Sequence, residues 1–136
     1  MKTDRLSSLA DPVLGTLVLE SDDHLWCETR LELGGRPITF LIGGDQEPSP
    51  GLLQHARDIV AAWPEFEARV AAFLLREADV HSRDSSEIRA LRIDSIELWW
   101  QDRPDDGMIY FTGSSERRLW RCDYIGRQPR DLGFDS

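Results

Sequence analysis

The chain has few of the residues that build disulfide frameworks and metal sites. Its 136 residues include two cysteines and three histidines. Two cysteines do not make the framework of a small secreted domain, so we expect a reduced, cytoplasmic protein. Cys27 falls on the apolar side of its predicted strand and Cys122 lies between two aromatic residues, so both are expected to be packed and unreactive. A disulfide between the two strands stays open as an alternative.

Long hydrophobic runs are also missing. The longest ones, such as residues 38–42, are far shorter than the roughly 20 apolar residues of a membrane-spanning helix. The N-terminal residues Lys2, Asp4 and Arg5 carry charge, but no apolar segment of signal-peptide length follows them. The sequence therefore predicts neither a membrane span nor a secretory signal.

Positive charge is in short supply. The chain has 25 acidic and 16 basic residues, for a formal net charge of −9. Residues 1–50 hold nine acids and four bases, whereas residues 82–136 hold eleven and nine. An excess of acid repels phosphate, which argues against nucleic acid or an anionic membrane as a ligand. The acidity indicates either simple solubility or electrostatic steering toward a basic protein.

The polar residues show no spacing that a known chemistry requires. The sequence has no HExxH, HxxxH or CxxC pair for zinc, no GxSxG for a nucleophilic serine and no glycine-rich phosphate loop. A calcium loop would need a bidentate glutamate that is missing here. We therefore expect no metal, no cofactor and no catalytic residue. The residues that could ligate a metal ion are scattered over predicted turns and helices: Asp22, Asp23, His24, His55, His81, Asp102, Asp105 and Asp106.

Alternating apolar and polar residues predict strands in the first and last thirds of the chain. Gly34-Gly35 indicates a hairpin in the first third, and residues 103–107 and 113–116 indicate turns in the last. The first third and the last third are therefore each predicted to form an antiparallel meander. The predicted strands are Val13–Glu20, His24–Leu33, Pro37–Ile42, Ser95–Gln101, Met108–Thr112 and Arg118–Ile125.

Helical spacing marks the middle third. Ser49 followed by Pro50 predicts a helix start, and Pro64 ends this helix and opens a second one. Residues 84–87 resemble a capping box before a short helical turn. We predict an α+β fold in which an antiparallel sheet, built from the N-terminal and C-terminal meanders, packs against a central helical pair. Residues 1–10 would be a loose lead-in, residues 11–126 a single domain and residues 127–136 an irregular tail.

Two tryptophans fall on strand faces that are otherwise polar. Trp26 shares the face of its predicted strand with Glu28 and Arg30, and Trp99 shares the face of its own strand with Glu97. Large aromatic side chains among charged ones are typical of interface anchors, so we predict that these five residues bind a partner. The alternative is that the protein's own helices or loops cover this face, or that Trp99 caps a sheet edge.

A group of arginines near the C-terminus gives a second surface candidate. It could bind a carboxylate-bearing partner or form an ordinary solvated strand face. The group consists of Arg117, Arg118 and Arg121.

Four segments, in their order along the chain, carry a resemblance to known families. They are residues 11–15 (Asp-Pro-Val-Leu-Gly), the predicted strand that contains Trp26, residues 56–59 (Ala-Arg-Asp-Ile) and residues 106–113, the last of which is followed by a strand that contains a tryptophan. Over residues 11–126 this order resembles small uncharacterised bacterial domain families. The resemblance implies an immunity protein of a polymorphic toxin system, which neutralises its toxin by covering it. It brings no catalytic residues.

Two functions of different classes follow. The first is a non-enzymatic protein-binding domain, with a basic toxin domain as the expected partner. The alternative is a small-ligand or enzymatic domain whose pocket lies between sheet and helices, with Glu28, Arg30 or Glu97 as polar contacts. A homodimer through the Trp99 face is a third outcome.

Overall fold

The structure is a computed structural model that describes residues 8–19, 26–45, 47–114 and 118–135, with the backbone alone at Trp26. Across these residues, four strands are followed by three α-helices and then by four more strands, with a single 3-10 turn at Ser82–Asp84 between the second and third helices. The strands are β1 (Ser8–Asp11), β2 (Gly15–Leu19), β3 (Trp26–Leu33), β4 (Arg36–Gly43), β5 (Arg92–Leu98), β6 (Gly107–Thr112), β7 (Leu119–Ile125) and β8 (Gln128–Asp135). The helices are α1 (Pro50–Ala61), α2 (Trp63–Val80) and α3 (Ser85–Arg89).

All eight strands belong to one sheet, and their order in the sheet is their order in the chain. Strands β1–β4 and β5–β8 are antiparallel meanders, while β4 and β5 pair in parallel and join the two halves. A parallel pair needs a long crossover, which the three helices between β4 and β5 supply. The predicted α+β fold of two meanders and a central helical pair is confirmed, with one parallel pair at its centre.

The helices lie on one face of the sheet. Alternate residues of the strands, such as Phe40 on β4, Ile96 on β5 and Ile109 on β6, are fully buried and pack in one cluster with the helices. The buried apolar residues of α1 and α2 recur at helical spacing, as the sequence predicted. They are Leu52, Leu53, Ala56, Ile59, Trp63, Phe66, Val70, Phe73, Leu74 and Ala78.

Where the structure describes them, both chain ends differ from the prediction, while residues 1–7 of the predicted lead-in lie outside the described residues. Residues 8–10, assigned to a loose lead-in, belong to β1, and the tail predicted to be irregular forms β8. Gly126 and Arg127 both have positive φ, which is the conformation of a type I′ hairpin turn. Arginine is a poor signal for such a turn. The β5–β6 loop holds it in place, because the Gly126 amide donates to Asp106 Oδ1 at 2.8 Å and Arg127 Nε donates to Asp105 Oδ1 at 2.7 Å.

The predicted helix starts are in place, but the predicted capping bonds are not made. Helix α1 begins at Pro50 and α3 begins at Ser85, and neither has a side-chain hydrogen bond at its N-cap. Glu87, the expected capping glutamate of α3, instead accepts a hydrogen bond from Trp120 Nε1 of β7 at 2.6 Å. The side chain therefore links helix and sheet rather than closing its own helix. Within the described ranges, no helix combines the length and apolar character that a membrane crossing requires.

Candidate functional site

The face of the sheet opposite the helices carries a continuous row of side chains. Directly paired residues of neighbouring strands point to the same side, so the strand register defines the row. Aliphatic and acidic residues alternate along it from β2 to β7, and an arginine on β8 ends it. This acidic row consists of Val18, Glu28, Leu41, Glu97, Met108, Asp123 and Arg130.

A second row of side chains lies beside the acidic row on the same face. On each of the strands β3 to β7, its residue is two positions away from the residue that belongs to the acidic row. Two hydrogen-bonded contacts orient its arginines: Arg30 Nε donates to Thr39 Oγ1 at 3.3 Å, and Arg121 Nε donates to Asp135 Oδ2 at 3.2 Å. Burial and the Glu97 carboxylate raise the pKa of Tyr110, so its hydroxyl stays protonated at neutral pH. This arginine row consists of Arg30, Thr39, Ser95, Tyr110 and Arg121.

Every side chain of the two rows is partly or fully exposed, in contrast to the buried positions between them. The described helices all pack on the other face, so they do not cover this one. The alternative in which the protein's own helices cover the face is therefore wrong. The two rows together form an open sheet face in which apolar groups lie between carboxylates.

Four of the five predicted partner-binding residues come together on this face. Glu28 and Glu97 lie on either side of Leu41 in the acidic row, about 10 Å apart across two strand spacings. Arg30 lies in the neighbouring row. The half-buried Trp99, just beyond the end of β5, donates its indole Nε1 hydrogen to Glu97 Oε1 at 2.8 Å. This bond fixes the direction of the Glu97 carboxylate.

The fifth predicted residue, Trp26, is the first residue of β3, and its backbone pairs with Gly43 of β4. Its side chain lies outside the described part of the structure. The sequence also placed Trp99 inside a strand ending at Gln101, whereas β5 ends at Leu98.

Two glycines let neighbouring strands approach the Glu97–Trp99 segment closely. A Cβ atom at Gly43 would lie 2.9 Å from the carbonyl oxygen of Trp99, and one at Gly107 would lie 2.5 Å from that of Glu97. These obstacles are backbone atoms, which cannot rotate away. The position of Trp99 beside Glu97 therefore depends on residues that carry no side chain.

We expect Gly43→Ala to destabilise the protein by about 1–3 kcal/mol, because the added methyl group forces the β4 and β5 backbones apart. Gly133→Ala is the matched control, since a Cβ there meets nothing within 4 Å and its φ is not in the left-handed region. Urea unfolding of both variants measures the difference. Equal stabilities would contradict the close approach at Gly43.

The cysteines and His55, which the sequence analysis also discussed, are packed inside the protein. Burial raises the pKa of the Cys27 thiol to about 11 and that of Cys122 to about 12, and both cysteines are free. His55 is buried, accepts from the Tyr124 hydroxyl at Nε2 (3.3 Å) and bonds the Pro104 carbonyl through Nδ1. Burial lowers its pKa. No group of three His, Cys, Asp or Glu residues suited to a metal ion occurs among the described residues.

The predicted C-terminal arginine group is engaged in ion pairs within the chain. Arg118 Nη1 lies 3.1 Å from Asp84 Oδ1 and 3.5 Å from Glu87 Oε1, and Arg121 pairs with Asp135. Arg117 lies outside the described residues. Arg118 and Arg121 therefore already have carboxylate partners of their own, which does not favour the alternative in which this group binds an external carboxylate.

An apolar groove of about 540 Å³ lies on the helical side, between α2 and the first residues of β4 and β5. Its polar lining residues are Arg36, Glu67, Arg89 and Arg92. The sequence predicted Glu28, Arg30 or Glu97 as contacts of a sheet–helix pocket. That prediction is wrong, because those residues lie on the opposite face of the sheet.

Sequence reasoning missed most of the open face. Leu41, Met108 and Asp123 alternate with buried residues and were not assigned to any surface. Their alternation with the predicted core positions is the signal that could have placed them. The parallel pairing of β4 with β5, which brings Leu41 next to Glu97, has no such signal in the sequence.

Comparisons of the chain with protein-family models, with curated proteins and with solved structures find no match.

Proposed function

We propose that the chain is a non-enzymatic protein-binding domain that covers a basic partner with its open sheet face. The observation that carries the proposal is the acidic row, in which Glu28, Glu97 and Asp123 alternate with half-exposed aliphatic side chains across the strands. Apolar groups at the centre of a patch supply buried area, and the carboxylates between them select a positively charged partner.

The Trp99–Glu97 pair supports this role. Trp99 holds the Glu97 carboxylate through a hydrogen bond before any partner arrives, so little side-chain entropy is lost on binding. Tryptophan is also one of the three residue types, with tyrosine and arginine, that are enriched among the residues that dominate binding energy. We therefore expect Trp99 and Glu97 to be the energetic centre of the interface.

The class of partner that we propose is a basic toxin domain, for which this chain would be the cytoplasmic immunity protein. The net charge of −9 favours association with a cationic surface. The family resemblance of residues 11–126 supports the toxin class. Two free, buried cysteines agree with a reducing compartment.

Charge reversal on the open face tests the proposal. We expect Glu97→Arg to weaken capture of a stoichiometric basic protein from the lysate of the source organism, by about tenfold or more in affinity. Glu65→Arg is the matched control, because Glu65 is exposed on α2 and its replacement changes the net charge equally. Capture at low and high salt, read by mass spectrometry, gives the result, and circular dichroism checks that both variants fold.

Three outcomes would contradict the proposal. Equal losses in Glu97→Arg and Glu65→Arg would show an effect of net charge without a defined surface. Retention of the partner by Glu97→Arg would place the interface elsewhere. A chain that forms homodimers in light scattering, and that Glu97→Arg converts to monomers, would show that the open face binds a second copy instead.

A further inference from the structure

We propose that the groove beside α2 binds an anionic amphiphile, a single apolar chain with a carboxylate head. This inference goes beyond the proposed function, since the groove lies on the helical side and shares no residue with the open sheet face. Its evidence is the combination of an apolar floor, small residues that leave the floor accessible and a rim rich in arginine.

The floor is apolar and comes from the sheet and from α2. Ile38 is the third residue of β4 and Ile93 the second residue of β5, and Val70 and Leu74 line the groove from the helix. Ala68 and Ala71 form the helical wall, and their short side chains keep the groove open. Leu75 is 51% exposed at the same place, so an apolar surface faces solvent here. An occupant with an apolar chain would remove that surface from water.

The rim has a charge opposite to that of the whole chain. Three arginines and one glutamate line the groove, on a protein whose net charge is −9. Arg92 Nη1 donates to the carbonyl oxygens of Leu91 at 2.8 Å and Arg89 at 3.2 Å, which holds the guanidinium in place. Arg89 pairs with Asp79 at 2.8 Å.

Two of these arginines, Arg36 and Arg92, have N–H groups that could donate hydrogen bonds to a ligand. In the described ranges of the chain, neither Arg36 nor Arg92 forms an ion pair, and Arg92 keeps Nε and Nη2 without a hydrogen bond. A guanidinium that is oriented by backbone carbonyls and unneutralised is suited to a carboxylate, which it can bind with two parallel hydrogen bonds. A cationic head group would be repelled at the same rim.

The size of the groove limits the occupant. Its volume of about 540 Å³ lies in the range of small-molecule sites, which run from about 300 to 1,000 Å³. One alkyl chain matches such a groove better than a folded partner domain does. We therefore use decanoate as the probe, with decyltrimethylammonium as the amphiphile of equal chain length and opposite charge.

Isothermal titration calorimetry with both amphiphiles below their micellar concentrations tests the proposal. We expect decanoate to bind saturably at one site per chain and decyltrimethylammonium to bind at least about tenfold more weakly. Ala71→Trp fills the groove and should reduce decanoate affinity by about tenfold or more, whereas the exposed neighbour Ala72 lies outside the lining and Ala72→Trp should leave it unchanged.

The arginines are tested in the same way. Arg36→Gln and Arg92→Gln should each weaken decanoate binding by about tenfold, and Arg76→Gln, on α2 outside the groove, should not. If Ala71→Trp does not fold, these arginine variants still test whether decanoate binds in the groove. Absence of saturable decanoate binding, equal binding of both amphiphiles, or equal effects of Arg92→Gln and Arg76→Gln would overturn the proposal. Glu97→Arg should bind decanoate normally, so this result is independent of the one for the open sheet face.

Discussion

Replacing Asp11 by alanine is expected to cost about 2 kcal/mol of stability, because it removes a buried carboxylate that accepts hydrogen bonds from two backbone amides and from the partly exposed Arg57. The Asp11 side chain is only 4% exposed, and its Oδ1 accepts hydrogen bonds from Arg57 Nε at 2.9 Å and Nη2 at 2.5 Å. Its Oδ2 accepts from the backbone amides of Val13 at 3.0 Å and Leu14 at 2.9 Å. One carboxylate thus closes the β1–β2 hairpin and attaches it to α1.

The same contacts predict how stability depends on pH. The Arg57 hydrogen bonds, with those from the Leu14 and Val13 amides, lower the pKa of Asp11 from 3.8 to about 2. The unfolded chain therefore takes up this proton at a higher pH than the folded chain. The contribution of Asp11 is complete above about pH 4 and is lost as the pH falls toward 2.

Urea unfolding of the wild type and Asp11→Ala at several pH values measures both effects. The stability difference should be full at pH 7 and should shrink between about pH 4 and 2. Asp11→Asn keeps an acceptor for the amides but loses the charge, so it should fall between the two. Asp135→Ala, which removes an exposed ion pair with Arg121, should change stability by less than about 1 kcal/mol. A pH-independent difference for Asp11→Ala would contradict the assigned role.

The second large effect is expected at Glu87, where alanine should cost about 2–3 kcal/mol. The Glu87 side chain, on α3, is 10% exposed and contacts Trp120, the second residue of β7. It accepts hydrogen bonds from Trp120 Nε1 at 2.6 Å and from the Ser114 hydroxyl, and it lies 3.5 Å from Arg118 Nη1. Its removal leaves the indole N–H of the buried Trp120 without this acceptor, and an unsatisfied buried donor is costly.

Two further variants separate the hydrogen bonds from simple loss of charge. Glu87→Gln retains an acceptor oxygen for Trp120 and should lose less stability than Glu87→Ala. Asp79→Ala removes a carboxylate whose side chain is 73% exposed and which pairs with Arg89, so its effect should stay within about 0.5 kcal/mol. Thermal and urea unfolding give the comparison. Similar losses for Glu87→Ala and Asp79→Ala would show that the buried position of Glu87 adds nothing.

Local sequence patterns predicted the interior strands and the helices, because apolar residues recur about every 2 positions in a strand and about every 3.6 in a helix. The alternation in β3 and in β7, and the helical spacing of residues 52–63 and 66–74, are properties of neighbouring residues that hold whatever the rest of the chain does. Strand β8 was missed for the opposite reason. Its turn requires positive φ at Arg127, and distant carboxylates of the β5–β6 loop stabilise that conformation.

In the candidate sites, too, local patterns predicted some features and long-range contacts decided others. Alternation placed Glu28 with Arg30 on one side of β3, and Glu97 with Trp99 on one side of their own segment. Which of these pairs meet depends on the parallel register of β4 with β5, which puts Leu41 between Glu28 and Glu97. The groove beside α2 likewise joins residues 36–38, 64–75 and 89–93, which are far apart in sequence.

The sequence by itself determined the α+β class, the helix starts at Pro50 and near Pro64, and the burial of both cysteines, since these depend on local periodicity and on proline geometry. Only the tertiary structure decided that β4 and β5 join the two meanders as a parallel pair, that Glu87 binds β7 instead of capping its helix, and that a groove with an arginine rim opens beside α2. These features rest on long-range pairing, where the free energy comes from contacts between segments that no local pattern encodes.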